Sequence, residues 1–552
     1  MPTSATVLFL TALLAAVWTH DANADKKTIC SITVNSADEK EMFRRSLPPD
    51  KFQVVELVER DRADWLESAC RQGIRCDILV ISGHYDGGNE FYSDRLEARE
   101  YLPVAEMERV SCSDSCSGLF SQLKEVYLFG CNTLNPEALK SGSSEIGRSL
   151  VRSGHSRADA ERLSRALTVR HGESSRDRMR LIFKNVPVIY GFSSKAPVGP
   201  TAASMLDRYF QSGAGGEIGS GRASARMLGR FAANSMVATS GVRDSDPAAA
   251  HGQDVCQFSS DRLSAAQKVA FIHQLMGREM AEVRSFLDRI EKYSGSLSDA
   301  DRQVPAVSQA LDEIARDDAA RSRYLDFARD ADQPAVRARM IELAQHLGWL
   351  SPEEKRAELM RMIRDQIARD AVSAAEVDLI CALNKDRDLD QERHRLQLRP
   401  TEATKVSSTA VLACLGSADA RAQMLLALTS PNDEEVQIAQ VYLRHQPIAD
   451  VNELRLVTSG IARMTGSNAQ VHALDTLADQ HLSDPESLEE LARLFPLAES
   501  VGVQTAIAGV LIRADYKPIA TRELVQTLQQ HRLRAANGAD LIDVLIRRLQ
   551  AL

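Results

Sequence analysis

The sequence has no dense tract of Lys or Arg, and its 76 acidic side chains outnumber the 67 basic ones, for a formal charge of −9. A general nucleic-acid binder and a protein drawn to anionic membrane surfaces both need the opposite balance, so neither class is expected. After the first eighteen residues no apolar run is long enough to span a bilayer. No HExxH motif occurs, and His155 and His171 have no metal-ligand spacing with other His or Cys. No cofactor is therefore implied. The run GAGGEIGSGR (213–222) lacks the Gly-Lys-Ser/Thr ending of a phosphate loop and reads as a mobile loop or processing site. What is present is the composition of a soluble globular protein, 44% apolar and 26% charged, in a chain long enough for two to four domains.

The N-terminus carries VLFLTALLAAVW (7–18), an apolar segment of signal-peptide length, followed by small residues in Ala22-Asn23-Ala24. The expectation is a signal peptide over 1–24, a mature start near Asp25, and export to a periplasm or the exterior. No Lys or Arg precedes the apolar segment, and an uncleaved anchor or buried first helix is the competing reading. Nine cysteines follow, at 30, 70, 76, 112, 116, 131, 256, 381 and 414. Exported cysteines are often paired, and an odd count leaves at least one free. Cys112 and Cys116, in SCSDSC, are near enough in sequence to pair with each other.

Residues 28–82 alternate as an α/β domain does. TICSITV (28–34), FQVVELV (52–58) and CDILVIS (76–82) read as strands, and ADEKEMFRRSL (37–47) and RADWLESACRQ (62–72) as the helices between them. VYLFG (126–130) is a fourth strand and VPVIYGFSS (186–194) a fifth. Such alternation implies right-handed crossovers and a mostly parallel sheet. The α/β domain is expected over 25–240. Residues 241–258 lose periodicity and gather Asp, Pro and Gly, which places a linker there. From 259 to 552 the pattern is nearly all helical. QPAVRARMIELAQHL, DEEVQIAQVYLRHQ, NAQVHALDTLADQHL and VGVQTAIAGVLI align on Val336, Val436, Val471 and Val503. Blocks of this kind bury a core only by stacking, as helical-hairpin repeats do. They resemble HEAT-type repeats in degenerate form, which implies a solenoid-like region with a surface for a protein partner. An irregular helical bundle is the alternative.

Two strand exits could do chemistry. LVISGHYDGG places His84 after the third strand, and VYLFGCNTLN places Cys131 after the fourth. Cys131 alone could be a nucleophile, half of a disulfide or a small residue in a corner. Neighbouring parallel strands, however, deliver side chains to one carboxyl edge, where α/β proteins place their sites. An imidazole there can take or orient the thiol proton, and the thiolate can attack an acyl carbon.

The order strand-SGH then strand-GC resembles the caspase-like cysteine peptidases, which include the bacterial CHAT domains, over roughly residues 28–235. The resemblance implies a His84/Cys131 dyad hydrolysing peptide bonds in a protein or peptide substrate. It also implies an oxyanion hole from the backbone N–H groups of Cys131 and Tyr85. Family members usually have Gly directly after the His, where this chain has Tyr85. By position, Asp86, Asn132, Ser193, Ser194 and Lys195 are candidates for the substrate cleft, and Asp94 for orienting His84. An inactive relative that uses the fold as a peptide- or protein-binding scaffold is the alternative function.

Overall fold

A computed structural model of the chain describes residues 26–551, apart from 58–65, 88–89, 95–99, 138–147, 149, 152–153, 164–173, 397–404, 466 and 535–539. The signal-peptide reading of 1–24 and His171 lie outside the described residues.

The chain divides into two compact units, Met1–Phe327 and Ala328–Leu552. In the first, Lys27–Thr33 (β1) leads into Asp38–Ser46 (α1), then Phe52–Glu56 (β2), Glu67–Arg71 (α2) and Ile78–Ser82 (β3). The acids Asp38, Glu39 and Glu41 start α1 and Arg44 and Arg45 end it, which complements the helix dipole. Next come His84–Tyr85 (β4), Glu90–Tyr92 (β5) and Tyr101–Pro103 (β6), a small antiparallel sheet absent from the sequence reading. Val104–Cys112 (α3), Ser117–Ser121 (α4), Glu125–Phe129 (β7), Ser175–Ile182 (α5) and Val188–Phe192 (β8) follow. Gly199–Gln211 (α6), Ala225–Arg230 (α7), Met236–Thr239 (β9) and Ala249–Ser259 (α8) complete the α/β portion.

The main sheet has the order β2-β1-β3-β7-β8-β9 and is parallel except for β9, which pairs antiparallel with β8. The central strands β3, β7 and β8 are buried at every position, which is why they read as apolar runs without alternation. Their side chains divide by parity between two cores. Leu79, Ile81, Val126, Leu128 and Ile189 enter one, and Ile78, Val80, Tyr127, Phe129 and Tyr190 the other.

Three sequence expectations are corrected here. Cys112 does not pair with Cys116. Cys112 ends α3 and meets Cys256 on α8, whereas Cys116 precedes α4 and meets Cys70 at the end of α2. The chain turns at Ser113 into extended backbone, so the two cysteines serve different neighbours. Cys30–Cys76 and Cys381–Cys414 are the other disulfides. Residues 241–258 are not an open linker, since they contain most of α8, which buries His251, Gly252 and Val255. Its Ala, Gly and His content hides the helical apolar pattern, and the first unit continues through further helices to Phe327. One of them, Met280–Ser296, sends Arg289 to the buried Glu108 of α3 at 2.7 Å. Finally, 213–222 is an anchored turn rather than a free loop. The buried Glu125 carboxylate accepts from Gly219 N–H (2.9 Å), Gly221 N–H (3.0 Å) and the Tyr127 hydroxyl (2.8 Å).

The second unit is helical throughout its described residues. Ala374–Leu383, Val406–Cys414, Asp433–His445, Ser467–Ala478, Val501–Arg513 and Leu541–Gln550 stack in one row. Ala418–Ala427, Val451–Ala462 and Pro485–Leu494 form a second row beside it. Three helices of the first row begin at Asp433, Ser467 and Val501, a repeat of 34 residues. Val336, Val436 and Val503 of the aligned blocks are buried and Val471 is half-buried. At equivalent repeat positions, Gln470 donates to the Ile461 carbonyl (2.9 Å) and Gln504 to the Phe495 carbonyl (3.2 Å). Each amide adds a second donor to a carbonyl at or just past the end of the preceding helix, beside the backbone N–H of Met464 or Ala498.

Candidate active site

The ladder between β3 and β7 ends at Ser82 opposite Phe129, and Gly83 N–H still bonds the Phe129 carbonyl at 3.1 Å. His84 and Cys131 each stand two residues beyond that last pair, on neighbouring central strands at the carboxyl edge. Gly130 is required between them. A Cβ there would sit 2.9 Å from the Gly83 carbonyl oxygen and 3.1 Å from the Tyr85 Cβ.

The turn after Cys131 is held by β8 and the residues that follow it. Asn132 takes φ 59°, a left-handed conformation that Asn tolerates better than most residues. Its N–H donates to the Ser194 carbonyl at 2.7 Å, and Leu134 N–H to the Phe192 carbonyl at 3.0 Å. The buried Thr133 hydroxyl accepts from Phe192 N–H and donates to the Gly130 carbonyl, both at 3.1 Å. Gly191 allows this close approach, since a Cβ would stand 2.6 Å from Thr133 Oγ1.

Cys131 is half-buried and is the free cysteine; the other eight form the four disulfides. Its Sγ accepts from Ala196 N–H at 3.3 Å. His84 Nε2 lies 3.2 Å from Asp94 Oδ2, although the two are not aligned as a hydrogen bond, and the ring packs against Tyr92 at 5.4 Å. Among the described residues no hydrogen bond joins His84 to Cys131 directly.

Both open into one cleft of about 510 Å³. Its walls are the β1–α1 turn and first turn of α1 (Asn35–Glu39), the two strand exits, Asp94, and Ala196–Pro200. Thus the stretch 191–200 does shape the cleft, but through its second half. Of the residues expected there, Asp86, Asn132, Ser193, Ser194 and Lys195 do not line it. Asp86 closes the β4–β5 hairpin by accepting from Glu90 N–H at 3.1 Å. Asn132 shapes the turn, Ser193 bonds the Ser235 carbonyl, and Lys195 is exposed.

Tyr85 is in strand conformation rather than at positive φ, so its backbone does not call for glycine. Its ring is buried against Phe91 at 4.8 Å, and that burial pushes the hydroxyl up to about 12. Asp86 N–H bonds the Glu90 carbonyl, which makes Tyr85 opposite Phe91 the non-hydrogen-bonded pair of the ladder. Its N–H therefore points away from β5.

The sequence reading missed Asp38 and Glu39 and ranked Asp94 low. Glu39 is only 3% exposed, and burial raises its carboxyl to about 7, partly offset by its own backbone N–H and the nearby Ser82 and Ser36 hydroxyls. The available signal was position, since Ser36-Ala37-Asp38-Glu39 follows β1 at the same carboxyl edge as His84 and Cys131. Among the described residues no cluster of three or more His, Cys, Asp or Glu could hold a metal ion. No helix of the described residues is long and apolar enough to cross a membrane. Comparison with protein-family models, curated proteins and solved structures gives no match.

Proposed function

We propose that the first unit is a cysteine endopeptidase of the caspase-like type, with Cys131 as nucleophile and His84 as general acid and base. The observation that carries this reading is that the free cysteine shares a carboxyl-edge cleft with the histidine of the adjacent central strand. The Cys131 thiolate attacks the peptide carbonyl carbon, and the developing oxyanion is met by the backbone N–H groups of Cys131 and Tyr85. His84 gives its proton to the amine nitrogen as the C–N bond breaks, leaving a thioester on Cys131. A water that loses its proton to His84 then attacks the thioester, and the acid and the thiolate are released. Asp94 orients the imidazole from the rim.

The four disulfides and the apolar segment at 7–18 support export to a periplasm or the exterior. The stacked helices of the second unit, HEAT-like in their 34-residue repeat, are assigned to a protein partner or to regulation of the peptidase. A second reading, an inactive relative that binds peptides in the same cleft, is favoured by the lack of a direct His84–Cys131 hydrogen bond.

A peptide library separates the two. The peptidase loses all cleavage on Cys131→Ala and at least about 100-fold on His84→Ala, the usual scale for a general acid–base. A binding module cleaves nothing as wild type and keeps its peptide affinity in both variants.

A further inference from the structure

The Cys112–Cys256 disulfide joins the last residue of α3 to α8 and differs from the other three bridges in two ways. Both of its cysteines are half-buried, whereas each other bridge has at least one buried cysteine. In addition, the Lys184 amine, two residues past α5, donates to Cys256 Sγ at 2.8 Å. A disulfide sulfur is a weak acceptor and a thiolate a strong, charged one, so this contact gains most when the bridge is open. Lys184 has no better partner. It is half-buried, and among the described residues no carboxylate lies within ion-pair distance of it. Burial lowers its amine below the usual lysine range, and the exposed Asp244 offsets this only in part. Glu108 lines the same recess as Lys184 and Cys112, but it is held by Arg289 at 2.7 Å and Arg178 at 3.3 Å.

We infer that Cys112–Cys256 is a thiol–disulfide exchange site, opened by an external thiolate that attacks Cys112 while Cys256 leaves as a thiolate paired with the Lys184 ammonium. This stands apart from the peptidase reading. The attacked sulfur follows from the leaving group, because the sulfur whose thiolate is better stabilised departs faster. The attack forms a mixed disulfide on Cys112 Sγ as the Cys112–Cys256 bond breaks. A second thiolate then attacks the reagent's sulfur, displaces Cys112 and carries away the reagent as its disulfide. The two electrons come from the two reagent thiols, whose protons end on Cys112 and on the Cys256–Lys184 pair. Other ties remain across the junction when the bridge is open. The Asp261 carboxylate still accepts from the Ser113 hydroxyl at 2.7 Å and Ser115 N–H at 3.2 Å, and Arg289 still pairs with Glu108.

The test uses the full chain, with Cys131 first capped by N-ethylmaleimide. The protein is exposed without denaturant to 2-mercaptoethanol, a neutral thiol, and quenched in acid. New thiols are trapped with isotopically labelled N-ethylmaleimide and mapped, with the mixed disulfides, by mass spectrometry. Cys112–Cys256 is expected to open at least about 10-fold faster than any other bridge, with the reagent on Cys112 and the label on Cys256. Lys184→Met should slow this opening about 10-fold, and Lys184→Arg, which keeps the charge, should retain most of the rate. Opening no faster than another bridge, or only together with all of them, would overturn the inference. The reagent on Cys256 with the label on Cys112 would overturn the assignment of the leaving sulfur. An unchanged rate in Lys184→Met would overturn the role of Lys184. The wild-type map decides the exchange site even where a Lys184 variant fails to fold.

Discussion

Cys131, Glu39 and Gly130 illustrate how few atoms decide the site. Cys131 occupies a corner where backbone from β7, β8 and the 194–196 segment meets, and one N–H already points at its sulfur. Glu39 is the costly residue of the group. Its carboxyl sits near 7 in the folded chain against an ordinary 4.5, so the folded state holds that proton more tightly than the unfolded state does. The stabilising contribution is complete below pH 4.5 and is lost as pH rises through about 7. Glu39→Gln removes this dependence. Relative to wild type, it should be near neutral at pH 4 and more stable by about 3 kcal/mol at pH 8. Denaturant titrations of both proteins across that range check the sign. A wild type that keeps pace with the variant as pH rises would show that Glu39 is not desolvated in the folded chain.

Secondary-structure elements differ in how well sequence alone reveals them. β3, β7 and β8 were legible because strands buried on both faces read as nearly continuous apolar runs, and β1 because its buried interior is flanked by polar ends. The β4–β6 sheet was not, since strands of two and three residues show no period. His84 and Cys131 were legible as a pair because a shared offset from the strand ladder follows directly from parallel pairing. The acid wall of the cleft was not legible, because α1's polar first turn reads as ordinary helix-start chemistry whether it faces solvent or a cleft. Disulfide partners were beyond reach for a related reason: Cys70, Cys112, Cys116 and Cys256 are sorted by tertiary packing, not spacing. In the helical unit, Cys381–Cys414 ties helix Ala374–Leu383 to helix Val406–Cys414 across 33 residues. Replacing both cysteines by Ser should cost about 2–4 kcal/mol, mainly by releasing the unfolded chain. Chemical denaturation followed by far-ultraviolet circular dichroism, which is dominated by these helices, measures it. A loss under about 0.5 kcal/mol would mean the neighbouring helices hold that junction without the bridge.

At the scale of the whole molecule, the chain joins a parallel-sheet unit with one free thiol to a helical unit of stacked repeats. Repetition was legible from the aligned valines, whose last two spacings are 35 and 32 residues, and the helix starts set the repeat at 34. The boundary was not, because α8 and the helices after it belong to the first unit while sharing the helical pattern of the second. Peptide-bond cleavage through Cys131 is decided by intact-mass analysis during turnover. Wild-type chain quenched in acid during reaction with a peptide that it cleaves should carry the acyl half of that peptide on Cys131 as a thioester. Cys131→Ala should carry none and release no amine. Peptide cleaved at an undiminished rate by Cys131→Ala, or a wild type that never acquires the acyl mass, would contradict it.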